Sequence, residues 1–161
     1  MFYFDRTYFL VLIGLQRKFD KYKKIKTQKS ITGFDAARYI LSTNSYNDIS
    51  IKKVRGSLSD YFNPVSKEIA LSETSMTDTS IASLAVAAHE CGHVIQYKEG
   101  YIPLKIKSYI VPAVNLGSKL SFPMILLGIF LSMGKLITIG IFLFSFVLIF
   151  QIITLPVEFD A

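Results

Sequence analysis

Residues 136–153 carry no charge over eighteen positions, and their only polar side chains are Thr138, Ser145 and Gln151. A helix crosses the hydrocarbon of a bilayer with about 20 apolar residues, so this run has spanning length. A second uncharged run, residues 122–133, precedes it across Lys135. Extended back to residue 116, that run also spans, with Lys119 snorkelling to the interface. The pattern predicts a transmembrane helical hairpin over residues 111–154, with Gly134 and Lys135 in its turn; one span plus an interfacial helix is the alternative. Composition agrees. The 161 residues are 51% hydrophobic with a mean hydropathy of +0.40, too apolar for a disordered tail and too few for two comfortable domains.

The start of the chain, MFYFDRTYFLVLIGL, is interrupted by Asp5 and Arg6. What remains is too short to span, and it lacks the basic start and small-residue cleavage site of a signal peptide. Residues 1–15 are therefore read as a membrane-associated segment, an interfacial anchor or shortened first helix, with aromatics suited to the headgroup region. Residues 17–29 follow with seven basic side chains against Asp20, in a chain of net charge +6. Next to a membrane segment, such a cluster favours the cytoplasmic face and anionic headgroups over nucleic acid. The single cysteine, Cys91, excludes an intrachain disulfide and a cysteine-based zinc finger, and fits a reducing compartment.

Between these segments lies a mixed α and β region. Thr32 with Asp35 forms a capping box that opens a helix over residues 30–43, with Phe34, Ala37, Ile40 and Leu41 on one face. Residues 49–54 read as a strand and residues 60–64 as a turn. Residues 67–71 read as the returning strand of a hairpin, either a plain hairpin strand or a sheet edge on which an extended peptide substrate can pair. Residues 80–99 are the strongest helix outside the membrane, capped by Thr79 or Ser80 and stopped by Gly100. The organisation expected is a membrane-associated segment (1–15), a catalytic domain (16–110), the transmembrane hairpin (111–154) and a short post-span segment (155–161).

The chemistry sits in that helix. The only two histidines, His89 and His93, stand four apart with Glu90 after the first, giving HExxH. With this composition, chance produces that arrangement about 0.04% of the time. Histidines at i and i+4 share a helical face and can bind one tetrahedral Zn²⁺. Glu90 projects about 100° round the helix, placing it off the metal and near a metal-activated water. Three protein ligands with one open position make a catalytic zinc site, and no third histidine exists, so the third ligand is a carboxylate. Downstream candidates are Glu99, Glu158 and Asp160; Asp60 and Glu68 are upstream alternatives. Glu99 is near the end of the same helix and folds back poorly. Two spans, rather than one, return Glu158 to the side of the membrane that carries HExxH. Cys91 is turned off the histidine face and reads as a packed thiol. Gly92, Ala85 and Ala88 leave room for another element to approach.

The segments TGFDAARYIL, VRGSLSDYFNPVSKEIALSE, SIASLAVAAHECGHVIQ, VPAVNLGSKLSFP and FQIITLPVEFDA, with FYFD near the start, run in order through the chain. Together they resemble the YugP-like bacterial membrane zinc metallopeptidases. The resemblance implies one zinc ion per chain held by His89 and His93, with Glu90 as general base. Similarity to other membrane gluzincins, which place a Glu on a later helix, makes Glu158 the third ligand and Asp160 a partner that orients a ligand. The N-terminal apolar segment is shorter than the family's usual span. Family members also continue past EFDA, so the chain reads as C-terminally truncated.

The expected fold is an α+β integral membrane protein: a small zincin-like catalytic unit with the HExxH helix and a short hairpin sheet, plus a C-terminal transmembrane hairpin. The expected function is that of a zinc-dependent metalloendopeptidase in the bacterial cell membrane, multi-pass, with its catalytic part on the cytoplasmic face. Its expected partners are a peptide or membrane-protein substrate and the lipid bilayer, without nucleic acid. The rival is an inactive, truncated membrane protein that keeps zinc or an interaction surface.

Overall fold

The computed structural model describes residues 6–161, leaving aside the side chains of residues 6–13 and 15. Residues 1–5, which open the expected membrane-associated segment, lie outside the described residues. The chain forms two compact units, one reaching to Val94 and the other spanning Ile95–Ala161.

In the first unit, α1 (Arg6–Lys23) carries the apolar start directly into the basic cluster. Arg17, Lys18, Lys21 and Lys23 are exposed on its C-terminal turns, where positive charge complements the helix dipole. Phe19 on the same turns is buried. The α2 helix (Gly33–Thr43) begins where the sequence places it. The Thr32 side chain accepts from the Asp35 N–H, and the Asp35 carboxylate accepts from the Thr32 N–H at 3.1 Å. Gly33 is needed at its first position, because a Cβ there would collide with the Ser75 carbonyl oxygen and lie 3.0 Å from that of Ser83.

Three strands follow: β1 (Ser50–Val54), β2 (Tyr61–Asn63) and β3 (Glu68–Ser72). They form one sheet in the order β1-β3-β2. The hairpin is present, but its partners differ from those expected. β2 forms inside the stretch read as a turn and pairs antiparallel with β3, Phe62 opposite Ile69. β1 lies on the other side of β3 and runs parallel to it, Ile51 opposite Ile69. The reason is local. The Asn63 side chain accepts from the Val65 and Ser66 N–H groups at 2.9 and 3.3 Å, and Lys67 takes a left-handed φ of +54°. This closes a tight turn between β2 and β3, and a short loop costs less entropy to close than the longer path from β1. β3 is consequently the central strand, with Ile69, Ala70, Leu71 and Ser72 fully buried, and is not an edge open to a peptide.

Short α3 (Glu73–Thr77) leads into α4 (Ile81–Lys98), the helix of the HExxH motif. Ser80, rather than Thr79, is its cap: the Ser80 hydroxyl accepts from the Ser83 N–H at 3.3 Å. The Ile81 N–H, another donor without an intrahelical acceptor, donates to the Ile25 carbonyl at 2.9 Å, and the Thr27 N–H donates to the Thr79 carbonyl at 2.9 Å. Residues 25–27 thus seat the start of α4. The core of this unit joins Ala37 and Leu41 of α2, Ile69 and Leu71 of β3, and Ala87, Cys91 and Val94 of α4. The 87, 91, 94 spacing is one helical stripe.

The second unit holds the end of α4, α5 (Ile102–Phe130) and α6 (Gly134–Asp160). A left-handed Gly100 (φ +75°) ends α4, with the Gly100 N–H donating to the Tyr97 carbonyl and the Tyr101 N–H to the Gln96 carbonyl at 2.8 Å. Both α5 and α6 are long and apolar enough to cross a membrane. They are not core helices of a water-soluble fold, whose apolar side chains would be covered: Phe130 is 85% and Phe142 72% exposed. The turn falls at residues 131–133, ahead of its expected place, because Ser132 takes the left-handed position (φ +52°) and the Met133 N–H closes onto the Gly128 carbonyl at 2.8 Å. Gly134 and Lys135 therefore begin α6. Small residues set the helix approach. A Cβ on Gly140 would lie 2.9 Å from the Ser121 carbonyl oxygen, and one on Gly128 2.8 Å from the Ile137 nitrogen. Val114, Val147 and Phe150 pack between the helices further along.

Candidate metal centre

His89 and His93 lie on one face of α4 in the first unit, their ring centroids 4.8 Å apart and their planes at 67°. His89 is half-buried and His93 is 7% exposed. Glu90 sits between them in sequence, round the helix, and is 6% exposed. The burial follows from the helix: the stripe that carries Ala87, Cys91 and Val94 is locked into the core, so the neighbouring motif residues are drawn partly inside. Polar and charged side chains are costly to bury, and three within five residues mark a site rather than packing. Nitrogen donors one helical turn apart suit zinc, a borderline-soft cation bound by imidazole.

Cys91 is fully buried, its Sγ 3.8 Å from the Ala37 carbonyl oxygen. Burial first, and the Glu90 charge second, push its thiol up to about 12, so it is a packed neutral thiol as read from the sequence. Ala85 and Ala88 are exposed.

The upstream carboxylates are engaged elsewhere. The Asp60 Oδ1 accepts from the Ser72 N–H at 2.7 Å, at the end of the central strand. Its Oδ2 is buried without a hydrogen-bond partner among the described residues. Glu68 pairs with Lys52 at 2.5 Å across the parallel strands, which lowers its pKa. Among the described residues, neither carboxylate joins the imidazoles in a group able to hold an ion. Glu99 falls in the exposed turn just past the end of α4, six residues beyond His93.

Glu158 and Asp160 belong to the second unit, on the last turns of α6. Glu158 is exposed and its Oε1 pairs with the Lys107 Nζ of α5. Asp160 accepts a hydrogen bond from Gln96 Nε2 at 2.9 Å, and the same amide nitrogen donates to the Val157 carbonyl at 2.9 Å. Gln96 is 4% exposed. Sequence reading passed over this residue. Its signal was a lone amide at i+7 from His89 and i+3 from His93, in a helix otherwise rich in Ala, Val and Ile.

The chain combines an HExxH helix packed on a small sheet with two apolar helices of spanning length, the elements of a membrane metallopeptidase class. A family model described as "Putative neutral zinc metallopeptidase" matches residues 6–161, and the chain belongs to that family. It is 40% identical over 147 residues to the "Putative membrane protease YugP" of Bacillus subtilis (strain 168), covering 91% of this chain. The chain spans 65% of the length of that curated relative. No solved structure matches it. The apolar helices and the membrane relative together give a multi-pass membrane location.

Proposed function

We propose that this chain is a membrane-bound zinc metallopeptidase that hydrolyses peptide bonds. The observation that carries the reading is the pairing of His89 and His93 on one helix face with a buried Glu90 beside them. In this reading His89, His93 and the Glu158 carboxylate would hold one zinc ion per chain, two imidazoles and one acidic oxygen being a donor set that suits catalytic zinc. The assignment of Glu158 is supported by Gln96, which lies one turn past His93 and is bonded to the turn of α6 that bears Glu158.

When bound, zinc supplies Lewis acidity to the scissile carbonyl and lowers the pKa of water toward 7. Glu90 takes the proton from the attacking water and returns it to the leaving amine nitrogen, since a peptide nitrogen departs poorly as an anion. The buried position of Glu90 keeps bulk water from competing for that proton. The substrate is a peptide or a membrane protein. The exposed basic turns of α1, with residues 24–29, support a reading in which the catalytic part faces the cytoplasm and anionic headgroups rather than nucleic acid.

The test is zinc content and hydrolysis of a quenched fluorescent peptide library by the detergent-purified chain, wild type beside Glu90→Gln. About one zinc per chain, with turnover falling about 10²–10⁴-fold in Glu90→Gln while zinc is retained, supports the peptidase. Zinc without any Glu90-dependent turnover makes the chain an inactive membrane zinc-binding protein. No zinc in the wild type overturns the reading.

A further inference from the structure

We propose that Gln96 is a positioning residue: its side-chain amide holds the turn of α6 that bears Glu158. The inference rests on the reading of Glu158 as a zinc ligand and assigns a role to a residue outside the motif. His89, His93 and Gln96 fall at i, i+4 and i+7, a single stripe along α4. The stripe that carries both imidazoles therefore also carries the amide.

That amide is built into the structure. Gln96 is 4% exposed, and a buried amide must spend its N–H groups on acceptors. Nε2 donates to the Val157 carbonyl and to Asp160 Oδ2, both at 2.9 Å. The two acceptors flank Glu158, one residue before it and two after. The end of α6 has particular need of such bonds. The last four carbonyls of a helix lack intrahelical donors, and Val157 receives a bond from the chain's own backbone only at 3.3 Å, from Ala161. Pro156, just ahead, has no N–H and breaks one rung of the ladder that would otherwise hold this turn.

The side chain of Glu158 is steadied separately, through its Oε1 and the Lys107 ammonium. A carboxylate has two oxygens, so pairing one with lysine is compatible with a metal bond at the other. Gln96 holds the backbone and Lys107 holds the head. Together they reduce the freedom that Glu158 would lose on ligating an ion, the usual work of groups behind metal ligands.

The experiment measures zinc affinity of the whole detergent-purified chain by competition with a chromophoric chelator, using zinc alone as the probe. The variants are Gln96→Met, Glu158→Gln and the double substitution. Methionine keeps length and bulk but deletes both donors. Gln96→Met is expected to weaken zinc about 10–100-fold, Glu158→Gln at least as much, and the double variant no more than Glu158→Gln. Affinity within twofold of wild type in Gln96→Met overturns the inference. So does a full further loss when Gln96→Met is added to Glu158→Gln, because the amide would then act without Glu158. Wild-type affinity in Glu158→Gln overturns the ligand assignment itself, and the inference with it. If Gln96→Met does not fold, Asp160→Ala removes one of the two bonds from the other side. A smaller loss that vanishes in the Glu158→Gln background is then expected, and a loss that persists there overturns the proposal.

Discussion

The rings of His89 and His93 meet edge to face across one turn of α4, with centroids 4.8 Å apart, yet only His93 is buried. The two positions therefore differ in stability while matching in chemistry. On the proposed ligand set each imidazole removed takes away one of three donors, so His89→Ala and His93→Ala are both expected to abolish stoichiometric zinc. Truncating the buried ring also leaves a cavity, costing the metal-free fold about 1–3 kcal/mol at His93 and under about 1 kcal/mol at half-buried His89. Zinc content together with denaturant unfolding of the metal-free variants checks both halves. Equal stability of the two variants would contradict the burial argument.

The sequence left two caps open for the HExxH helix, and the structure chooses Ser80. Its hydroxyl also lies 3.0 Å from that of Ser83, which donates to the Thr74 carbonyl, so the cap ties α4 to α3. Ser80→Ala is expected to cost about 1–2 kcal/mol, and Thr79→Ala less than about 0.5 kcal/mol. Unfolding free energies of the two variants, measured side by side, test the choice. A larger loss at Thr79 would reverse it.

What was legible in the sequence was local. Thr32 and Asp35 announce α2 because a capping box needs only residues three apart, and HExxH announces its chemistry because helical spacing puts both imidazoles on one face. The two spanning helices follow from uncharged length alone. Pairing partners were not legible. Three residues, Tyr61, Phe62 and Asn63, are too few to show alternation, so the sequence of β2 reads as a turn and leaves the central place of β3 unmarked. The helix stop at Ser132 was missed because the nearby Gly134 is the stronger turn signal, while the left-handed position fell on a serine. Gln96 was overlooked for a third reason. An amide carries no chemistry of its own in a motif, and its meaning comes only from two acceptors more than sixty residues away.

Acid should loosen the docking of residues 25–27 on the start of α4. Burial alone would raise the Asp78 carboxyl. The hydrogen bond and charge of Lys26, with help from Thr79 and Ser80, outweigh it and hold the pKa below the ordinary carboxylate value. A depressed folded-state pKa stabilises the fold above the unfolded value, near 3.9, and that contribution is lost as pH falls through the folded value. Asp78→Asn should therefore melt below wild type at pH 7, with the gap closing under about pH 4. Melting curves from pH 7 to pH 2 check this. A gap that stays constant with pH would assign the loss to packing instead of charge.

The hairpin of α5 and α6 makes a sharper demand on one glycine than on another. At Gly140 an added methyl would sit 2.9 Å from the Ser121 carbonyl oxygen and 3.1 Å from the Ile125 nitrogen, and backbone atoms cannot swing aside as a side-chain end can. At Gly117 the nearest atoms would be Val147 Cγ2 at 3.8 Å and Leu143 Cδ2 at 3.9 Å, ordinary contact distances. The same chemical change should then act oppositely on one helix pair. Gly140→Ala forces the helices apart and is expected to cost about 1–3 kcal/mol. Gly117→Ala adds contact and helix propensity, and is expected to be neutral or to stabilise by up to about 1 kcal/mol. Titration of each purified variant from mild detergent into dodecyl sulfate, followed by far-UV circular dichroism and by proteolysis at residues 131–133, reads the separation of the two helices. Equal tolerance at both positions would mean that the close approach at Gly140 is not what joins them.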